Sequence, residues 1–317
     1  GGGSFDIDVA DNVRMPGFGR PHSKLRYTPI TISQEEVIPH EGDRSQLRTL
    51  GQEFHPQFDR NTKLFVGITM HQEPLVPSGR SWGAALGKPG TVCATFNSVA
   101  ENLESIYRSN DPSTPFAPDE VVVALFADGR KDINRDNRNN LRHLQEMGLY
   151  SDLDALYSDD GPLARAGRLR AKDLENRRRD GQAATRKSPK FSVDGGKTVY
   201  LHLFEAEVWY KDSPRPIQVM FCLKEFSAGR LDSHLWFFEL FAAHFHRTSQ
   251  QEVYTVLLDA GTVPGSGAVA ELVACMHGDE RVAGCYGEVV ADGALWSPLG
   301  ACQAFEYASM NFLDRQA

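Results

Sequence analysis

Five times in this chain an apolar run breaks off into residues able to bind or to do chemistry. Leu64 to Thr69 leads to Thr69 itself and Glu73, Val121 to Ala127 to Asp128 and Arg130, and Ile217 to Leu223 to Lys224 and Glu225. Val253 to Leu258 leads to Asp259, and Arg281 to Tyr286 to Gly287 and Glu288. Acids at separate strand ends suit a nucleotide diphosphate held through a hydrated divalent cation, Mg2+ or Mn2+, with Lys224 or Arg130 as a phosphate partner. The chain has no glycine-rich phosphate loop of either usual spacing and no Gly-x-Ser-x-Gly elbow, which disfavours nucleoside triphosphatase, dinucleotide and serine hydrolase chemistry. His71 and His234 read as structural or surface residues rather than bases.

The elements that must position these residues follow from periodicity. Thr255 to Leu258 is a short aliphatic run that reads as a fully buried parallel strand, followed by a turn at Gly261, a break over Pro264 to Ser266 and a helix over 268–277. Leu64 to Thr69, Val121 to Ala127, Val199 to Phe204 and Ile217 to Leu223 read as further strands, and Arg281 to Tyr286 as a last short one. Val92, Phe96, Val99, Leu103 and Ile106 form the apolar stripe of a helix that ends before Asn110-Asp111-Pro112, a core face rather than a binding surface. A second helix runs through Leu141, Leu144 and Met147 and closes at Gly148. An aromatic helix follows Asp232, its expected N-cap, and Gln303 to Tyr307 is expected to be helical. Strands alternating with helices give an α/β domain with a mostly parallel central sheet whose polar ends collect on one rim, where open α/β sheets bind ligands.

At 317 residues, with a net charge of -8, the chain has room for a large core and is not a general nucleic-acid binder. Residues 1–60, punctuated by Pro16, Gly17, Gly19 and Pro21, read as an extended N-terminal arm lying on the domain at 61–317, with Arg26 to Ile32 as its one strand-like piece. Residues 158–197 carry Arg165, Arg168, Arg170, Lys172, Arg177, Arg178, Arg179, Arg186, Lys187 and Lys190 with almost no apolar partners, and read as a solvated, disordered insertion. Five cysteines, Cys93, Cys222, Cys275, Cys285 and Cys302, without paired ligand spacing read as reduced core residues. No stretch approaches the roughly 18 apolar residues of a membrane span, so the chain itself is expected to be soluble.

The order and identity of the polar clusters resemble the chitin synthases, processive family 2 glycosyltransferases with a GT-A type domain. The resemblance covers about residues 60–317. It rests on Thr69-Met70-His71-Gln72-Glu73, Asp128-Gly129-Arg130-Lys131-Asp132-Ile133, Phe221-Cys222-Leu223-Lys224-Glu225 and Asp232-Ser233-His234-Leu235-Trp236-Phe237-Phe238. It continues in Asp259-Ala260-Gly261-Thr262, Gly284-Cys285-Tyr286-Gly287-Glu288 and Gln303-Ala304-Phe305-Glu306-Tyr307. His71 and Gln72 stand where the family has Tyr and Asn, and Leu235 where it has Arg.

The resemblance implies that Thr69, Glu73 and Asp128 hold the uridine of UDP-N-acetylglucosamine, that Lys224 meets the diphosphate, and that Asp259 binds the metal. Gly287, Glu288 and Gln303 would lie nearer the sugars. It further implies a chitin chain as acceptor and a parent protein embedded in the plasma membrane with this domain on the cytosolic face, and it allows a homodimer. The family draws its general base, the Gln-Arg-Arg-Trp segment and the membrane helices from sequence that would follow Ala317, so the chain reads as a donor-binding portion, incomplete at the C-terminus, that does not polymerise. The alternatives are a related hyaluronan or cellulose-type synthase and a non-catalytic UDP-sugar-binding or scaffold module.

Overall fold

The computed structural model describes residues 4–9, 24–32, 61–76, 90–109, 117–134, 139–158, 192–193, 197–209, 216–249, 252–290 and 298–314. Most of the basic insertion, from 159 to 191, lies outside the described residues.

The strands are β1 Phe5–Asp8, β2 Lys24–Ile32, β3 Leu64–Met70, β4 Val121–Ala127, β5 Ser192–Val193, β6 Lys197–Val208, β7 Ile217–Lys224 and β8 Tyr254–Asp259. The helices are α1 Val92–Ser109, α2 Asn140–Glu146, α3 Leu153–Leu156, α4 Arg230–Leu235, α5 Ala243–Thr248, α6 Ala268–Gly278 and α7 Pro298–Asp314, with a π-helical segment, Trp236–Ala242, joining α4 to α5. One sheet runs β1-β2-β6-β7-β4-β3-β8, with β5 beside β6. Its core β7-β4-β3-β8 is parallel, while β6, β2 and β1 extend it antiparallel. β3, β4 and β7 are buried along their whole length, as continuous aliphatic strands with covered faces must be.

Three sequence expectations change here. The run at 254–259 is not a fully buried strand: it is the last in the order, Thr255 to Leu258 are half-buried, and among the described residues only β3 pairs with it. Residues 282–290 form no regular element, because Gly284 and Gly287 interrupt a run that finds no strand to pair with among the described residues. Two pieces of the expected arm, the strand-like run at 26–32 among them, are strands of the sheet rather than a surface covering, and Tyr27 of β2 is wholly buried.

The two faces of the sheet are closed differently. Val92, Phe96, Val99, Leu103 and Ile106 of α1 are all buried in the larger core, as their spacing predicts. On the opposite face the α4-π-α5 unit lays Phe237 flat on Phe65 at 4.6 Å and edge-on to Phe126 at 5.9 Å, with Phe241 5.5 Å from Phe126. A Cβ at Gly67 would collide with the Phe237 ring, so glycine there lets the aromatic segment approach the sheet. Widening to π geometry brings Trp236, Phe237, Leu240 and Phe241 inward together, which suits a face tiled by large rings.

Candidate functional site

The four parallel strands end level with one another. Thr69 is opposite both Asp259 and Phe126, and Ala127 is opposite Met70 and Leu223, so Thr69, Asp128, Lys224 and Asp259 share one rim. Backbone bonds lock the turns that leave it: Asp128 N donates to Met70 O at 3.0 Å, and Ala260 N to Thr69 O at 2.8 Å. α1 braces the loop after β8 from below. Gly261 N donates to Thr95 Oγ1 at 2.9 Å and Val269 N to Asn102 Oδ1 at 3.1 Å, while Ser98 Oγ donates to Pro264 O at 2.5 Å. These three polar side chains sit buried among the apolar stripe of α1, and the stripe gives no sign of them.

Asp128 and Lys224 form the buried half of the site. Asp128 is 1 % exposed and accepts from Lys224 Nζ at 2.6 Å, Ser227 Oγ at 3.0 Å, Ala228 N at 3.1 Å and Gly229 N at 3.0 Å, with His71 Nδ1 at 3.3 Å. Burial pushes its pKa up, but the bond and charge of Lys224, with the Ala228 and Ser227 donors, outweigh that and hold it below the usual carboxylate value. Lys224, 2 % exposed, spends a second bond on Asp232 Oδ2 at 2.6 Å. Asp232 is therefore not the N-cap expected of it: Gly229 caps α4, and Asp232 stands within its first turn as the outer partner of the lysine.

Two of the three Lys224 ammonium donors are thus committed to carboxylates. Breaking a buried, hydrogen-bonded ion pair costs about 3–5 kcal/mol, comparable to the whole binding free energy of a millimolar ligand, about 4 kcal/mol. Arg130 is also drawn off the rim, toward Asp154 at 3.6 Å and Glu225 at 3.9 Å, where it lines a cavity of about 270 Å³ with Arg142 and Tyr150.

The open half of the rim is Asp259, Thr69 and Arg230. Thr69 Oγ1 donates to Asp259 Oδ1 at 3.0 Å, and Arg230 approaches Asp259 Oδ2 at 3.3 Å, with the carboxylate 49 % and the guanidinium 66 % exposed. An exposed pair of this kind is worth about 0–1 kcal/mol, so a cation or a phosphate displaces it cheaply. Among the described residues no three candidate ligands cluster as a protein-built metal cage would require. A single accessible carboxylate is instead what Mg2+ uses when substrate phosphates and water complete its shell.

Glu73 does not reach into the rim. It closes the turn after β3 by accepting from His71 N at 2.7 Å and Gln72 N at 3.2 Å. Buried Asn140 of α2 ties that turn to the one after β4, donating to Glu73 O and Ile133 O at 3.1 and 2.8 Å and accepting from Leu75 N at 3.0 Å. Gly287 and Glu288 lie in the exposed stretch after α6, and Gln303 is exposed on α7.

Beneath the rim, on the far side of β7, runs a chain of side chains that periodicity does not reveal. His202 Nε2 donates to Glu225 Oε2 at 2.9 Å, so Nδ1 accepts from Tyr27 OH at 2.8 Å, and the Tyr27 oxygen accepts from Tyr157 OH at 2.7 Å. Burial pulls the His202 pKa below its ordinary value and the Arg130 charge adds to this, against the opposing pull of Glu225. His202 is therefore neutral in the fold, while in the unfolded chain it takes up a proton as the pH falls below about 6.5. Stability is full above that value and declines below it. Equilibrium unfolding in urea from about pH 7.5 to about pH 5.5 is expected to show this decline in the wild type and a shallower one in His202→Gln; equal slopes would remove His202 as the cause.

A parallel-cored mixed sheet flanked by helices, with polar residues gathered at the C-terminal strand ends, is the layout of a GT-A type glycosyltransferase domain. Residues 193–317 match the family described as chitin synthase-like glycosyltransferase domain. Over most of its length the chain is also similar to chitin synthase 2 of three fungi. It is 28% identical to that of Cryptococcus neoformans var. grubii over 92% of the chain and 26% of the relative. The figures are 27% identity for Rhizopus oligosporus, over 94% and 29%, and 28% for Mycosarcoma maydis, over 98% and 24%. The chain thus spans about a quarter of the length of these relatives. The family match begins at β5, whereas the three relatives align over nearly the whole chain. Among the described residues no helix is long and apolar enough to cross a membrane.

Proposed function

We propose that this chain is the donor-binding part of a chitin synthase. It binds UDP-N-acetylglucosamine on the rim of β3, β4, β7 and β8, and the whole enzyme passes the N-acetylglucosamine, with inversion, to the non-reducing-end 4-hydroxyl of a growing β-1,4-linked chain. The observation that carries the reading is Asp259, an accessible carboxylate at a parallel strand end with an accessible guanidinium, Arg230, beside it. The uridine lies against the turn at 69–73, with His71 moving from the surface edge of Asp128. The diphosphate lies over Asp259 and Arg230, and the sugar extends toward Gly287, Glu288 and Gln303.

Asp259 would hold a Mg2+ or Mn2+ ion, whose chemistry is to offset the negative charge that grows on UDP as it departs. Arg230, released from Asp259, places a second positive charge on the same group. Thr69 keeps one oxygen of Asp259 fixed, leaving the other for the ion. Lys224, Asp128 and Asp232 support this surface from within and hold the turn at 227–229 that carries Arg230. The parent enzyme works at the cytosolic face of the plasma membrane.

Asp128 and Asp232 are tied to Lys224 and Glu73 to its own turn, so these carboxylates support a binding surface rather than act as a base for an acceptor hydroxyl. Titration calorimetry with Mg2+ is expected to show UDP binding at a roughly millimolar Kd and ADP binding at least about tenfold more weakly, a difference of about 1.4 kcal/mol. Equal affinities would remove the uridine assignment.

A further inference from the structure

Of the five cysteines only Cys93 and Cys222 are the buried core residues their apolar surroundings suggest; Cys275 and Cys302 are exposed and Cys285 is half-buried. Cys275 lies in the last turn of α6, and Cys285 in the irregular stretch that follows it. The Cys285 thiol donates to the Leu272 carbonyl at 3.3 Å, one helical turn before Cys275. Residues 272 and 275 lie on one face of α6 a turn apart, and the Cys275 side chain leans back toward the helix N-terminus, so the Cys285 sulfur sits beside it. One sulfur is thus open to solvent and the other is held against it by the helix backbone, the arrangement of an attacking and a resolving thiol.

We propose that Cys275 and Cys285 form a reversible dithiol/disulfide pair, oxidised by a low-molecular-weight disulfide of the glutathione type, that clasps the 282–290 stretch to α6. The Cys275 thiolate attacks one sulfur of the small disulfide; that S–S bond breaks and the first small thiolate leaves, taking a proton from water. Cys285 gives its proton to water and attacks the Cys275 sulfur of the mixed disulfide, forming the internal S–S bond and releasing the second small thiolate, which is protonated in turn. The protein loses two hydrogens and two electrons, and the small disulfide is reduced to two thiols. Cys275 is the exposed sulfur and Cys285 the half-buried one, so Cys275 is the sulfur that attacks first. Gly287 and Glu288 follow Cys285 after one residue, Tyr286, so closing the clasp restrains the backbone that carries them.

The test is peptide mapping of the folded 317-residue chain after exposure to oxidised glutathione, digested without reductant. The expected result is a Cys275–Cys285 cross-linked peptide, reversed by dithiothreitol, with Cys93 and Cys222 unmodified. Cys285→Ser is expected to leave Cys275 as a stable mixed disulfide with glutathione. Wild-type protein that stops at the Cys275 mixed disulfide, or that joins Cys275 to Cys302, would overturn the proposal. Because the readout is a covalent link, it stands or falls independently of donor binding.

Discussion

Replacing Lys224 by methionine is expected to cost about 3–5 kcal/mol of folding stability, because it strips the cation from a carboxylate that is 1 % exposed. Urea unfolding at neutral pH measures the loss. The double change Lys224→Met with Asp128→Asn is expected to recover part of it, since the buried charge goes too. Asp128 also sets the pH window. Its pKa is held below the usual carboxylate value, so its contribution is complete above that range and disappears as the pH falls through the lowered value. In Lys224→Met the burial that already pushes Asp128 upward goes unopposed by the lysine, so ionised Asp128 stabilises the fold less and the decline on acidification is smaller than in the wild type. A cost within about 0.5 kcal/mol, as for an ordinary surface change, would mean that the pair does not hold the rim together.

The second large effect is on ligand rather than fold. Asp259→Asn keeps the shape of the side chain and the bond from Thr69, and at a half-exposed strand end it is expected to change stability by less than about 0.5 kcal/mol. It removes the charge that a divalent cation needs. Magnesium is therefore expected to strengthen UDP binding by about tenfold or more in the wild type and by little in the variant, a difference of at least about 1.4 kcal/mol in calorimetry. Arg230→Ala is the contrasting change: it frees Asp259 and should leave the magnesium dependence in place while weakening UDP binding in its absence. An unchanged magnesium effect in Asp259→Asn would end the metal role of this residue.

The parallel core was legible because β3, β4, β7 and β8 are short aliphatic runs that each stop at a polar residue, and strand ends that share a direction must share a rim. What those ends do once together was not. Asp128, Lys224 and Asp232 each read as a site residue or a cap on local grounds; only the fold brings both carboxylates to 2.6 Å from the Lys224 ammonium, where the shared burial makes the three a support. Arg230 carries no signal in the sequence, and nothing local says that it faces Asp259 across the sheet edge. Strand direction was equally hidden. β6 and β7 follow one another in the chain and lie antiparallel, and β2 reaches β6 through pairs such as Tyr27 with Phe204, far apart in the chain. The burial of β8 was overestimated because a run of aliphatic residues does not record whether a second neighbour covers it.

The most direct test of the central claim is to locate the base of the donor. A UDP-N-acetylglucosamine carrying a photoactivatable azide on the uracil, irradiated on the folded chain with magnesium and mapped by peptide mass spectrometry, is predicted to label the turn at 69–73 or residues 128–130, with free UDP suppressing the label. Label confined to residues 141–154 around the cavity beside Arg130, or spread over the surface and insensitive to UDP, would contradict a donor site on this rim.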